Sequence, residues 1–279
     1  MCPVESELKE TVQEVCSAAE KLEIRVVLVG ALMAQFTPEI GSGYPKFRGT
    51  NDADFGVSVH DWETFKKLHG ELIARGFKAN PKIEHRLCRG ATMVDLIPYG
   101  AQIAPYGKLT WPESGFEMTV TGFDEVCAAA RKAGKSNDLP LPVITVPGFV
   151  LLKIVAFLDR RARQDPKHRD DAKDIEYWLR NFASGTNDAR RFDLAGHSGL
   201  HHPDYETAGA TLLGLEVRRL ASPEASVYVE RFTKESEDLY SAFMDALAFG
   251  QFEDAANKKR RDGRALLIAF VEGFLHAHP

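Results

Sequence analysis

Two aspartates, Asp52 and Asp54, stand at alternate positions where the stretch Arg48-Gly49-Thr50-Asn51-Asp52-Ala53-Asp54-Phe55-Gly56-Val57 turns apolar. Side chains two apart on a β-strand leave the same face of the sheet, so the spacing predicts both carboxylates projecting together. Like charges held side by side repel, and a cation between them relieves the repulsion. A third acid, Asp95, lies inside the apolar run Met93-Val94-Asp95-Leu96-Ile97, where an unpaired charge is costly. An edge strand that aims Asp95 at solvent is the competing reading, and apolar neighbours on both faces speak against it. Mg²⁺ takes hard oxygen ligands, usually one or two carboxylates with phosphate oxygens and water. Asp52 and Asp54 could hold such an ion carrying a triphosphate. Asp95 could make room for a second ion or accept the proton of an incoming hydroxyl. An Asp-x-Asp pair alone is unspecific, since it also arises as solvated or capping residues at strand starts.

Two further stretches have types that suit phosphate. Arg25-Val26-Val27-Leu28-Val29-Gly30-Ala31 reads as a buried strand that breaks at glycine into a helix. Glycine there lets the backbone approach a phosphate, and a helix N-terminus supplies N–H donors; many such turns serve packing alone. Between positions 153 and 173 stand seven basic residues, Lys153, Arg160, Arg161, Arg163, Lys167, Arg169 and Lys173, against Asp159, Asp165, Asp170 and Asp171. They read either as solvated helix surface or as a phosphate-binding patch. The cluster Lys258-Lys259-Arg260-Arg261 reads as solvated surface.

The elements that must position these groups follow from periodicity and punctuation. Residues 5–21 have helical spacing, 24–29 read as a central strand and 31–36 as the start of a helix. The Gly- and Pro-rich stretch 37–49 is a loop, 53–59 a strand, and Asp61 the N-cap of a helix over 62–75 that Gly76 ends. Residues 85–89 and 92–97 flank Gly90 as a hairpin, 117–121 form a short strand, and 123–133 a helix. The polar stretch 135–142 is the best linker candidate. Beyond it the pattern turns helical: Pro147 suits a first turn, with Val150, Leu151, Ile154, Val155 and Leu158 as one apolar face. A second helix over 169–182 buries Ala172, Ile175, Trp178 and Leu179, and further helices fall near 204–220, 223–249 and 262–275. The layout is α+β, a mixed α/β domain over 1–142 followed by an all-α domain over 143–279.

Composition sets the outer limits. With 279 residues, 44% hydrophobic and 27% charged, the chain reads as a soluble globular protein of one large or two ordinary domains. A net charge of −5 argues against a protein that coats nucleic acid. The longest apolar run, 149–158, is interrupted by Lys153, so no membrane span is expected. The N-terminus lacks a signal-peptide pattern, which makes a cytoplasmic location the expectation. Cys2, Cys16, Cys88 and Cys127 are scattered, so reduced thiols are expected rather than zinc or disulfides, with Cys88 and Cys127 as small core residues. His197, His201 and His202 fall in a loop and do not make the ligand set of a metal-dependent hydrolase.

Gly30-Ala31, then Thr50-Asn51-Asp52-Ala53-Asp54, then Val94-Asp95-Leu96-Ile97 together resemble the nucleotidyltransferase superfamily of DNA polymerase beta. Within it, Arg48, Thr50, Asp52, Asp54 and Phe55 look most like the AbiEii/MenT group of bacterial nucleotidyltransferase toxins. Val146-Pro147, Leu151-Leu152-Lys153, Ala156, Arg160, Lys167, Asp171 and Asp174 are similar to that group's Lys…Arg motif and Asp-x-x-Asp helix. The resemblance covers about 24–182. It implies a nucleotidyltransferase-like mixed β-sheet with flanking helices, with 147–182 completing the cleft. It implies an NTP substrate, two Mg²⁺ ions on Asp52, Asp54 and Asp95, and nucleotide binding by Gly30, Ala31, Thr50, Lys153, Arg160, Lys167, Asp171 and Asp174. An RNA acceptor such as the tRNA 3′ end and an antitoxin partner are implied as well.

Asp171 and Asp174 are one helical turn apart and could share a face, although an ordinary exposed acid pair is the plainer reading for Asp174. Two departures stand out. The superfamily usually carries Gly-Ser or Gly-Gly where this chain has Gly30-Ala31, and the loop before Asp52 is long. That loop is expected to fold over the nucleotide; alternatives are that Ser42 supplies the missing hydroxyl or that catalysis is weakened. A protein that keeps the fold and acts by binding a nucleotide or a protein partner is the second reading.

Overall fold

Runs of valine, isoleucine and phenylalanine with period-two alternation favour extended chain, and they build the sheet of the first unit. The computed structural model describes residues 3–37, 40, 43–133, 141–196 and 204–276. Two units divide it: Met1–Ile40 with Phe47–Thr145, and Gly41–Lys46 with Val146–Pro279.

In the first unit α1 (Pro3–Lys21) leads into β1 (Arg25–Leu28), a 3₁₀ turn (Ala31–Gln35), β2 (Asp52–Ser58) and α2 (Trp62–Ala74). Then come β3 (Lys78–Ala79), β4 (Arg86–Arg89), β5 (Thr92–Tyr99), β6 (Lys108–Thr110), β7 (Glu117–Thr119), α3 (Phe123–Ala128), β8 (Arg131–Lys132) and β9 (Pro142–Val143). Seven strands form one mixed sheet in the order β3-β4-β5-β2-β1-β9-β8, while β6 and β7 pair separately. Ala53, Phe55 and Val57 on β2 and Val94 and Leu96 on β5 are wholly buried, and α1 packs on β1, β5 and α2. Asp61 caps α2 by accepting from Thr64 N at 2.7 Å, as its position predicts.

The second unit is helical: α4 (Val146–Ala162), α5 (His168–Asn181), α6 (Ala208–Leu220), α7 (Pro223–Thr233), α8 (Ala242–Ala248) and α9 (Glu253–His276), with a 3₁₀ stretch over Gly185–Gly196. Phe157, Phe232 and Phe243 meet edge to face, with centroids 5.1–5.7 Å apart. Helices α6 and α9 touch through their backbones, because a Cβ on Gly214 would lie 2.1 Å from Phe270 O.

Several elements depart from the sequence pattern. The helix expected over 123–133 ends at Ala128 because Arg131–Lys132 joins the sheet edge against Pro142–Val143. The expected helix over 223–249 is broken: buried Glu235 accepts from Phe243 N at 2.9 Å, and Ser241 caps a fresh helix at α8. Residues 31–35 form a 3₁₀ turn and not the start of an α-helix. Cys88 is half-buried and not core, whereas burial pushes the Cys16 and Cys127 thiols up to about 12. Cys2, Ser42, His197, His201, His202 and most of the expected linker lie outside the described residues. No helix among the described residues is long and apolar enough to cross a membrane.

Candidate active site

Strand register assembles the acids. β2 and β5 run parallel with Asp54 opposite Asp95 and Asp52 opposite Met93. Opposed residues share a face and alternate residues return to it. Asp52, Asp54 and Asp95 therefore leave the sheet on the side away from Phe55 and Leu96.

β4 is antiparallel to β5 and sets Arg86 opposite Asp95, so a row Arg86–Asp95–Asp54 crosses three strands. Arg86 Nε donates to Asp95 Oδ1 and Nη2 to Oδ2, both at 2.7 Å, a bidentate pair of the strong kind. Those bonds hold the Arg86 guanidinium above its ordinary pKa against the opposing effect of burial, and the charges of Asp95, Asp52 and Asp54 add to the rise. Asp95 is only 8% exposed, which rules out the solvent-facing edge reading. His85 Nε2 stands 3.9 Å from Asp95 Oδ2, and its ring lies on Trp111 with centroids 5.2 Å apart.

Gly30 and Thr50 brace the pair of acids. Gly30 has φ 54° and ψ −175°, a conformation in which glycine alone is comfortable. A Cβ there would lie 1.8 Å from Asp54 Oδ2, so the glycine makes room for a carboxylate. Val29 N donates to Asp54 O at 2.8 Å, and Thr50 Oγ1 accepts from Asp52 N at 3.0 Å. Ala31 is buried in the 3₁₀ turn.

The expected metal set fits in part. Asp52 and Asp54 offer carboxylates on one face, enough for one hard cation that also takes phosphate and water. Asp95 has both oxygens bonded to Arg86. Among the described residues no three His, Cys, Asp or Glu side chains group so as to hold a metal ion.

The helical unit brings four of its five expected residues together. Lys153 Nζ lies 2.9 Å from both Asp171 Oδ1 and Asp174 Oδ2, and Arg160 Nη1 lies 2.6 Å from Asp171 Oδ2. Asp171 is 0% and Asp174 1% exposed, so Asp174 is not the ordinary exposed acid that its sequence context suggests. Burial alone would lower the Lys153 pKa, but Asp171 and Asp174 outweigh it and hold it above the ordinary lysine value. Lys167 precedes α5 with an exposed side chain and takes no part in the cluster. In the same unit, Tyr44 donates to Phe182 O at 2.8 Å and accepts from Asn187 Nδ2 at 2.7 Å, while Tyr177 donates to Pro45 O. Residues 44 and 45 of the long loop are thus tied to helical-unit residues.

In the first unit a pocket of about 390 Å³ is walled by Trp62, Phe65 and Trp111, with Lys66, His69, Lys82, Glu84 and Glu113 around it. The Trp62 ring rests on Trp111 and Phe65 at centroid distances of 5.2 and 5.6 Å.

Arg86, the partner of Asp95, is the residue of this cluster that motif reading passes over, although its signal is present. A two-residue turn at Gly90-Ala91 pairs positions whose numbers sum to 181, and 86 with 95 is such a pair.

No family model and no curated protein matches the sequence. Among solved structures the chain is similar to the antibiotic-resistance factor ANT(2'')-Ia in solution, at 12% identity over 81% of this chain and 91% of that one, TM-score 0.41. It is also similar to an antigenic nucleotidyltransferase-like protein from Paracoccidioides brasiliensis, at 15% identity over 85% and 92%, TM-score 0.38. A tRNA-processing enzyme in its apo form aligns at 14% identity over 95% and 77%, TM-score 0.26.

Proposed function

We propose that this chain is a metal-dependent nucleotidyltransferase that moves a nucleoside monophosphate from an NTP to an acceptor hydroxyl. The observation that carries the reading is the placement of Asp52, Asp54 and Asp95 on one face of the sheet by strand register. In the reaction the acceptor oxygen bonds to the α-phosphorus and releases its proton to solvent, the bond from that phosphorus to the bridging oxygen breaks, and pyrophosphate leaves. Mg²⁺ held by Asp52 and Asp54 would supply charge neutralisation at the phosphate oxygens. Asp95 keeps a lone pair on each oxygen beyond its bonds to Arg86 and accepts the hydrogen bond of the incoming hydroxyl.

The likeness of Arg48, Thr50, Asp52 and Asp54 to the AbiEii/MenT group extends the proposal to an RNA acceptor such as the tRNA 3′ end. It also extends to a role as a cytoplasmic toxin restrained by an antitoxin. A second reading, nucleotide or partner binding without turnover, is favoured by the ion pairs that occupy Lys153, Arg160 and Asp95.

Incubating the chain with Mg²⁺, α-labelled NTPs and total RNA tests the proposal. Label transfer is expected, and Asp52→Ala or Asp54→Ala abolishes it. Transfer that survives both substitutions would falsify the mechanism, and no transfer to any acceptor supports the binding reading.

A further inference from the structure

The Arg86–Asp95 pair is built into the fold. The hairpin register sets the two residues opposite each other, and their side chains are 16% and 11% exposed. With both oxygens bonded to Arg86, Asp95 already has its charge neutralised, and the guanidinium repels a further cation beside it. The charges lead the same way. Three carboxylates, Asp52, Asp54 and Asp95, surround one guanidinium, so Arg86 supplies positive charge where a second ion would otherwise be needed. His85 adds to the positive side only when protonated. A guanidinium carries five N–H donors. Two go to Asp95 and one faces Met93 Sδ at 3.6 Å, so two remain for phosphate oxygens, whose geometry the planar fork matches.

We infer that Arg86 stands in for a second metal ion: fixed by Asp95, it supplies a permanent cation beside a centre that takes one divalent ion, on Asp52 and Asp54. Asp95 then positions Arg86, besides receiving the incoming hydroxyl, and is not a metal ligand. This rests on the nucleotidyl-transfer reading of Asp52 and Asp54.

Counting bound Mn²⁺ by electron paramagnetic resonance, with a non-hydrolysable NTP analogue present, separates the possibilities. The expected result is one Mn²⁺ per wild-type chain, one in Asp95→Asn, and two in Arg86→Gln, where the freed Asp95 carboxylate becomes available. Two ions in the wild type, falling to one in Asp95→Asn, overturn the inference and leave nucleotidyl transfer standing. Mn²⁺ binding that persists unchanged in Asp52→Asn and Asp54→Asn overturns the underlying reading instead. Absence of binding in the wild type does the same. Should Arg86→Gln fail to fold by circular dichroism, the Asp95→Asn count decides alone.

Discussion

Gly30 shows how one missing side chain shapes a site. The sequence suggested a glycine that lets backbone approach a phosphate, and the structure gives the freed space to the Asp54 carboxylate. Gly30→Ala would force a Cβ into that oxygen at a backbone conformation with φ 54°, which costs about 1–3 kcal/mol as strain. Thermal melting is expected to show that loss. Label transfer falls further, on the order of 10²-fold, because a displacement of roughly 1 Å at a reacting group is enough. A variant that melts early yet keeps wild-type transfer per folded molecule would remove Gly30 from the site. Arg86 belongs to the same scale. Its pairing to Asp95 was readable from turn length, but motif matching looks along a strand and not across it.

Helices α4 and α5 exchange charge where neither is satisfied alone. Asp171 and Asp174 are buried on α5 and are neutralised from α4 by Lys153 and Arg160. Removing one partner of a buried pair strands the other, so Lys153→Ala is expected to cost about 3–5 kcal/mol in urea unfolding at neutral pH. The sign of the pH dependence follows from linkage. The folded-state pKa of Lys153 lies above the ordinary value of 10.5. Its stabilisation is complete below that value and is lost as pH rises through the raised pKa. The gap between wild type and Lys153→Ala should therefore be constant from pH 6 to 9 and narrow at strongly alkaline pH. A gap that widens there would contradict the assignment. The alternation of Ile175, Trp178 and Leu179 announced α5 in the sequence. The burial of its acids was hidden, because helical spacing marks a shared face without saying which face is inside.

At the scale of the molecule, one unit carries the sheet with the carboxylates and the other is helical with the lysine–arginine cluster. A net charge of −5 limits the number of phosphates that an RNA acceptor can meet. Proteins making 6–10 phosphate contacts lose about 10³–10⁵ in affinity between 50 and 200 mM salt. For this chain the loss in RNA affinity over that range is expected to stay below about 10²-fold, as measured by filter binding. A slope as steep as that of a basic nucleic-acid-coating protein would mean that recognition is spread over surface lysines and not confined to a pocket.

The sequence by itself determined the α+β layout, the shared face of Asp52 and Asp54, the Asp61 cap, the hairpin about Gly90 and most helices. These are local properties, set by period, capping and turn chemistry within a few residues. Strands of two residues, such as β3, β8 and β9, left no such mark, because their pairing depends on neighbours already in place. Tertiary structure alone decided that Asp54 fills the space beside Gly30 and that Asp171 and Asp174 are buried against Lys153. The charges of Asp171 and Asp174 are brought out of water on one helix and met by cations from another. Whether such a charge is satisfied depends on its partner across strands or helices, which no local pattern contains.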